Sequence, residues 1–498
     1  MYYMKRIVYI LSLVVVFSGC KKALEEKAYS AIYTKDFYSS ASEAEAALAA
    51  VYGQLYVMYS SGAPLFVAEW SADQMFPRNV VGRNTLTVFS YDPLFSVQTS
   101  NGRSNESPVE VWKQAYKGIE TANWVIDRVP GTKMDTVRRN AIIGEALFLR
   151  AFFHWSLAKN FGSVVVKTSA TNSIDNAFTG KQPAAKVYDQ IIADLVRAEQ
   201  LLPDYSASME KGRACKQAAQ LLHAKAALYA ERWPEALASA QAVIGSNKYT
   251  LMSSYTDLFT VAKKDAARAE VLFAVELNNT TNPIRQSQIH YFCAPIPPSD
   301  WSKGGAGGMY CYSAFMNSFP SGDKRKDLLF TSYQPTNGAL VTQPNIDTRL
   351  ATKDLVLMGK YKDPNAVGAY ASNNIYLLRL ADAYLIGAEA EARANGATGV
   401  AYDYINKVRT RAGIPNLTTG LAPNAFIDSV LQERSWEFYG EGDRWYDLTR
   451  TNKFLTVIPT AVNADYPVRK PLAKNRYFPI PQLEINANPQ LTQNDDWK

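Results

Sequence analysis

Residues 214–245, ACKQAAQLLHAKAALYAERWPEALASAQAVIG, constrain the fold more than any other stretch. Small side chains at Ala219, Ala226, Ala227, Ala236 and Ala240 interleave with Leu222, Leu228, Tyr229 and Leu237, and Arg232, Trp233 and Pro234 break the run. Two short antiparallel helices with alanines where they touch form a tetratricopeptide-like hairpin, which stays stable only when stacked on neighbours. Residues 375–413, IYLLRLADAYLIGAEAEARANGATGVAYDYINKVRTRAG, repeat the design.

Helical periodicity also marks 42–59, with Ser42 expected as N-cap, and 109–129, 136–160 and 184–202. A long irregular stretch, 60–107, separates the first two, and loops of that length are uncommon without a role. Between 246 and 374 the helical period fails. Proline and glycine clusters, many aromatics and a short β-like run at 271–277 replace it. The C-terminal segment holds too many prolines for a long helix and is expected to wrap the surface as extended chain. The expected fold is mainly α: a tetratricopeptide-like helical-hairpin scaffold with an inserted loop-rich subdomain containing short strands. Its expected divisions are a leader, 1–19; an N-terminal helical scaffold, 20–245, carrying the loop 60–107; a loop-rich ligand-binding subdomain, 246–374; and C-terminal helices with an extended tail, 375–498.

The chain opens MYYMKRIVYILSLVVVFSGC. Lys5 and Arg6 precede an apolar run from Ile7 to Phe17 that is short for a bilayer span, and Ser18 and Gly19 precede Cys20. This resembles a bacterial lipoprotein signal, with Cys20 the lipidated residue and Phe17 a departure where Leu is commoner. Acyl chains hold a protein at a membrane by burying methylenes, about 0.8 kcal/mol each. No further apolar run of spanning length is expected. Of the remaining cysteines, Cys293 and Cys311 are the candidate disulfide, but buried unpaired thiols are the commoner outcome and the expected one.

At 498 residues with 47% hydrophobic and 20% charged side chains, the chain is globular. The formal net charge of +7 falls by two, to +5, if Lys5 and Arg6 are removed. That is mild, and no run of five Lys or Arg occurs, so nucleic acid is not an expected partner. The three histidines, His154, His223 and His290, lie far apart. Zinc, phosphate-loop, dinucleotide and serine-nucleophile motifs are absent from the sequence, so no catalytic residue, metal ligand or cofactor is assigned. No EF-hand-like loop occurs, and a structural calcium is left open.

Paired carboxylates remain as a route to glycoside hydrolysis. Residues 432–450, QERSWEFYGEGDRWYDLTR, carry Glu433, Glu437, Glu441, Asp443 and Asp447 with Arg434, Arg444 and Arg450. A guanidinium beside a carboxyl holds its pKa low, which is wrong for a general acid. Gly440 and Gly442 let the chain turn. The expectation is therefore two helices pinned by ion pairs and sealed by Trp436 and Trp445.

The same residues resemble the late-chain signature of the SusD/RagB-like outer-membrane nutrient-binding lipoproteins. So do 145–166, 187–203, 347–351, 376–395, 405–413 and 477–497, in the family's order. Asp443 departs from the pattern, where a small residue or His is expected. The resemblance implies a tetratricopeptide-like scaffold and no catalysis. It also implies outer-membrane, cell-surface placement in a Gram-negative bacterium. The partner would be a SusC-like TonB-dependent barrel, to which the lipoprotein delivers a captured glycan. Peptide capture on the same scaffold is the alternative, and a glycoside hydrolase the remote one.

Sugars present flat CH faces and hydroxyl rims, so their binding calls for exposed aromatics with a few polar side chains. Two irregular segments supply both. The first, 66–92, offers Trp70, Asp73, Phe76, Asn79, Arg83 and Tyr91. The second, 291–315, offers Tyr291, Trp301, Tyr310, Tyr312 and Phe315. Trp301 lies among Ser, Lys and glycines and is the first choice as a stacking platform.

Overall fold

The computed structural model describes residues 38–174, 176–279 and 285–498, so the leader and Cys20 lie outside the described residues. The fold is mainly helical and tetratricopeptide-like. Eleven helices build the frame: α1 (Ala41–Ser60), α2 (Ala63–Ser71), α3 (Pro108–Arg128), α4 (Thr136–Phe161), α5 (Ala184–Leu201), α6 (Lys216–Tyr229), α7 (Trp233–Gly245), α8 (Leu380–Asn395), α9 (Gly399–Ala412), α10 (Pro423–Phe438) and α11 (Arg444–Arg450). Each packs on the next in a stack: α1 on α3, α3 on α4, α4 on α5, α5 on α6, α6 on α7, α7 on α8, and α8 on both α9 and α10.

Local chemistry sets the ends. Ser40, two residues before the expected cap, caps α1 through a capping box. Its hydroxyl accepts from the Glu43 amide, and the Glu43 carboxylate accepts from the Ser40 amide at 3.0 Å. Asp135 caps α4, and Pro108 starts α3. The turn at 230–232 splits α6 from α7 as expected, and Ala218, Ala219, Ala226, Ala227, Ala236 and Ala240 are buried where hairpins meet. By length and composition α4 could cross a bilayer, contrary to expectation, but its apolar window is wholly buried inside the protein. It is the scaffold's central helix.

Residues 246–374 contribute most of the short strands. Four two-stranded antiparallel sheets occur among the described residues, formed by β1 (Met75–Pro77), β2 (Val271–Val275), β3 (Met309–Cys311), β4 (Leu329–Phe330), β5 (Ser332–Tyr333), β6 (Val341–Thr342), β7 (Leu357–Met358) and β8 (Ile375–Arg379). β1 pairs with β3, placing Phe76 opposite Tyr310, and so ties the early irregular stretch to the inserted one. β2 pairs with β8, which the sequence reading had assigned to a helix. The apolar core runs unbroken from the helical stack into the inserted segment.

The stretch 60–107 is not a surface loop. It holds α2, β1 and three short helical turns, and residues 62–72 are buried throughout. Arg469, itself buried, donates to the carbonyls of Trp70, Ser71 and Thr87 at 3.0–3.3 Å. Glu69 is fully enclosed and accepts from the Gly442 amide at 2.8 Å, and burial pushes its carboxyl up to about 8. Cys293 and Cys311 are buried free thiols, so the candidate disulfide does not form.

The acidic and basic residues of 432–450 form the expected buried ion-pair frame, but with different partners. Glu433 is held by Arg325 at 2.6 Å and Arg409 at 2.9 Å. Glu437 is held by Arg379 at 3.0 Å, Arg325 at 3.4 Å and Arg411. Burial raises Glu437, but Arg411, Arg379 and Arg325 overcome it and hold the carboxyl below its usual value. For Glu433 burial wins, and the carboxyl is raised. Arg434 instead meets Asp382, Asp447 and Asp443 at 2.6, 2.8 and 3.3 Å. Asp443, the departure from the family pattern, also takes the buried Lys225 ammonium at 2.8 Å. Arg444 pairs with Asp73, and Arg450 with Glu389 and Asp447. These groups join α6, α8, α9, α10 and α11 to the inserted segment and leave no unpaired acid for catalysis among them.

Candidate functional site

Most of the sequence-selected residues face inward. Trp301 is 1% exposed. Its indole packs edge-on against Phe330 at 5.3 Å, with the Lys362 ammonium 5.4 Å from the ring centre. Its neighbours in sequence are small, but its neighbours in space are not, so it cannot serve as a stacking platform in this conformation. Trp70 is fully buried and stacks on Phe66 at 4.4 Å. Phe76 packs between Tyr312 and Tyr466. Tyr310 donates to Asp347 at 2.7 Å, and Tyr91 accepts from Asn475 at 3.0 Å while packing on Phe478. Phe315 packs on Phe319 and Tyr439. Burial raises the phenols of Tyr91 and Tyr310, and that of Tyr312 to about 12. These rings belong to the core, because apolar side chains from distant segments close over them.

The polar selections divide. Asp73 binds Arg444 through both oxygens at 2.7 and 2.8 Å. Burial raises its carboxyl, but Arg444 outweighs this and holds it below the usual value. It is a brace rather than a ligand group. Asn79 is exposed, yet its amide donates to the Asp465 carbonyl at 3.1 Å. Tyr291 is half-buried, edge-on to Phe292 at 6.3 Å. Arg83 is buried behind an opening on which the two selected segments converge, through Phe66 and Phe292.

That opening is a cleft of about 410 Å³. The end of α1 supplies Val57, Ser60 and Ser61 on one side. The segment before α3 supplies Asn105 and Glu106, the first turn of α3 supplies Glu110, and a short helix (Gln288–Cys293) with Gln286 supplies the far wall. Phe66 and Phe292, 4.7 Å apart between ring centres, form the floor. Arg83 holds this wall rigid. Its guanidinium lies 4.4 Å from the Phe292 ring centre and 5.7 Å from that of Trp70, and it grips both oxygens of Glu106 at 2.7 and 2.8 Å. Gln114 donates to Glu110 at 2.7 Å. A rim of hydroxyls and amides over a largely covered aromatic base, Phe66 being 0% and Phe292 6% exposed, suits a ligand with many hydroxyl groups. Of its two carboxylates, Glu106 has both oxygens taken by Arg83, and Glu110 accepts from the Gln114 amide.

Sequence reasoning found Arg83 and the neighbourhood of Phe292, but missed the floor and rim. Phe66 and Phe292 lay inside the two chosen segments. Ser60, Ser61, Asn105, Gln286 and Gln288 are small or polar residues with no motif around them, so only their convergence in space singles them out.

Comparison with known proteins adds a second line. A model of the SusD family matches residues 332–497, and one described as starch-binding associating with outer membrane matches residues 22–228. The chain is 24% identical to SusD-like protein P25 of Formosa agariphila over 98% of both chains. It is 26% identical to the starch-binding protein SusD of Bacteroides thetaiotaomicron over 86% of this chain and 82% of that one. Among solved structures, a laminarin binding SusD-like protein superposes with a TM-score of 0.74 at 24% identity, over 92% of this chain and 100% of that one. Surface glycan-binding protein A from Bacteroides thetaiotaomicron in complex with laminarihexaose gives 0.73 at 22% identity, over 91% and 99%. At such identities the structural likeness is one of fold.

Proposed function

The chain belongs to the SusD family, and from that premise we propose that it is a glycan-binding lipoprotein of nutrient uptake. It is held at the outer membrane through Cys20, captures an oligo- or polysaccharide on the cell surface without cutting it, and passes it to a TonB-dependent barrel. The observation that carries the reading is the cleft between α1 and the segment around Phe292. Its rim of Ser60, Asn105, Gln286 and Gln288 offers hydrogen bonds over the largely covered rings of Phe66 and Phe292. The relatives named for starch, laminarin and laminarihexaose support a glycan as the class of ligand. The paired state of Glu106 supports binding without hydrolysis.

The test is a panel of polysaccharides and peptides offered to the purified protein, with gel retardation and released reducing ends measured together. Retardation by a glycan without release, weakened by Gln286→Ala and Asn105→Ala, is the expected result. Release of reducing sugar, or retention by peptides alone, would overturn it.

A further inference from the structure

Two further hollows, of about 200 and 460 Å³, adjoin one another beyond the cleft, and the first is lined by Tyr56, Gly53 and Tyr52 of α1. Tyr52 to Ser60 spans two turns and more of helix, about 12 Å at the α-helical rise. The opposite wall is Arg285, directly before Gln286 of the cleft, so the two spaces share adjacent residues on both sides.

The far hollow differs from the cleft in charge. It is lined by Lys211, Lys264 and Arg285 against Glu210 and Glu276. Lys211 is matched by Asp265 at 2.5 Å. Lys264 and Arg285 are half-buried and have no carboxylate partner among the described residues. Each is tethered by one hydrogen bond to a main-chain carbonyl at the exit of β2: Lys264 to Leu277 at 3.1 Å, and Arg285 to Glu276 at 3.2 Å. The Arg285 guanidinium also lies 5.5 Å from the Tyr56 ring centre, which fixes it beside the groove. Arg268, behind them, likewise bonds only a carbonyl, that of Met209. The nearby Glu276 carboxyl accepts from Asn374 at 2.7 Å; burial raises it, against the pull of Asn374 and of the Lys264, Lys211 and Arg268 charges. Arg213 and Arg409, also half-buried, meet carboxylates directly. Here two cations are held in place with no direct ion pair among the described residues, and Glu276 is the nearby opposite charge to Lys264.

We infer that this groove is a subsite for acidic groups, carboxylate or sulfate, on a glycan that also occupies the cleft, so that the preferred ligand is an anionic polysaccharide. The inference rests on the proposed glycan function and adds the class of glycan. A chain lying along α1 would place hydroxyls against Ser60, Gln286 and Gln288 and an acidic substituent between Lys264 and Arg285. Both cations can donate charge-assisted hydrogen bonds to it.

The experiment uses polysaccharides in matched pairs. Polygalacturonate is set against its fully methyl-esterified form, and dextran sulfate against dextran, in affinity gels and titration calorimetry with the whole protein. The expected result is retention of an acidic member at least about tenfold tighter than its neutral partner, with binding that weakens as salt rises. Which acidic polymer wins distinguishes carboxylate from sulfate. Lys264→Gln and Arg285→Gln should each weaken acidic binding about tenfold and leave the thermal midpoint in place. Equal binding of charged and neutral partners, or salt-independent binding, would overturn the inference without any variant, and leave the glycan function standing. Failure to retain any polysaccharide would remove both.

Discussion

Arg325 and Glu433 lie 108 residues apart in sequence and meet at 2.6 Å with both side chains fully enclosed. The pair locks the loop-rich segment onto α10, and with Asp323, Glu437 and Arg409 it joins a connected set of charges that continues through Arg379 and Arg411. Removing one member strands another in a water-free site, which costs about 3–5 kcal/mol. Arg325→Met should lower unfolding free energy by that much in urea titration. A loss under about 1 kcal/mol would show that the frame is not under this constraint.

His223 bridges α5 and α7 from α6, contacting Glu199 at 2.9 Å and Glu235 at 3.1 Å. Burial opposes its protonation, but the two carboxylates outweigh burial and raise its pKa above 6.5. A raised value in the folded state means that protonated His223 stabilises fully below its unfolded pKa. That contribution fades as pH rises through the folded one. The gap in thermal midpoint between the wild type and His223→Gln should therefore be largest under mildly acidic conditions and close on the alkaline side. A gap that widens with pH would refute the bridge.

Trp301 is enclosed by Phe330 and Lys362, so its removal acts on the fold. Trp301→Ala should cost about 3–5 kcal/mol through cavity formation. Gln286→Ala, on the rim of the cleft, should leave stability within about 0.5 kcal/mol and weaken glycan retention. Denaturation curves beside affinity gels separate the two, and the opposite pattern would restore Trp301 as a binding platform.

Gly442 adopts φ +86°, and a Cβ there would stand 3.0 Å from Leu65 of α2. Its amide also holds Glu69. Gly442→Ala should lose about 1–2 kcal/mol from the left-handed backbone alone, measured by the same titration. An unchanged midpoint would mean that the turn between α10 and α11 can relax.

Arg83 stiffens the cleft through Glu106 and the Phe292 ring. Arg83→Met keeps the stem but drops the paired hydrogen bonds, each worth about 1.5–3 kcal/mol when charged. Glycan affinity should fall several-fold without any gain of hydrolysis, read by calorimetry and reducing-end release. Undiminished affinity would place the ligand elsewhere.

The sequence by itself determined the helical stack. The spacing of Ala226, Ala227 and Ala240, the break before Pro234 and the paired charges of 432–450 are local signals, because helix period and chain turns are written within a few residues. It also announced the irregular segments that meet at the cleft, around Arg83 and Tyr291. Only the tertiary structure decided which side chains those segments expose. Trp301 reads as open because Ser302, Lys303 and Gly304 follow it, yet Phe330 and Lys362 cover it. Residues 375–379 read as helix, yet they form β8 because β2 is there to pair with them. Burial is a property of neighbours brought together over a hundred residues or more, and one-dimensional spacing carries no record of them.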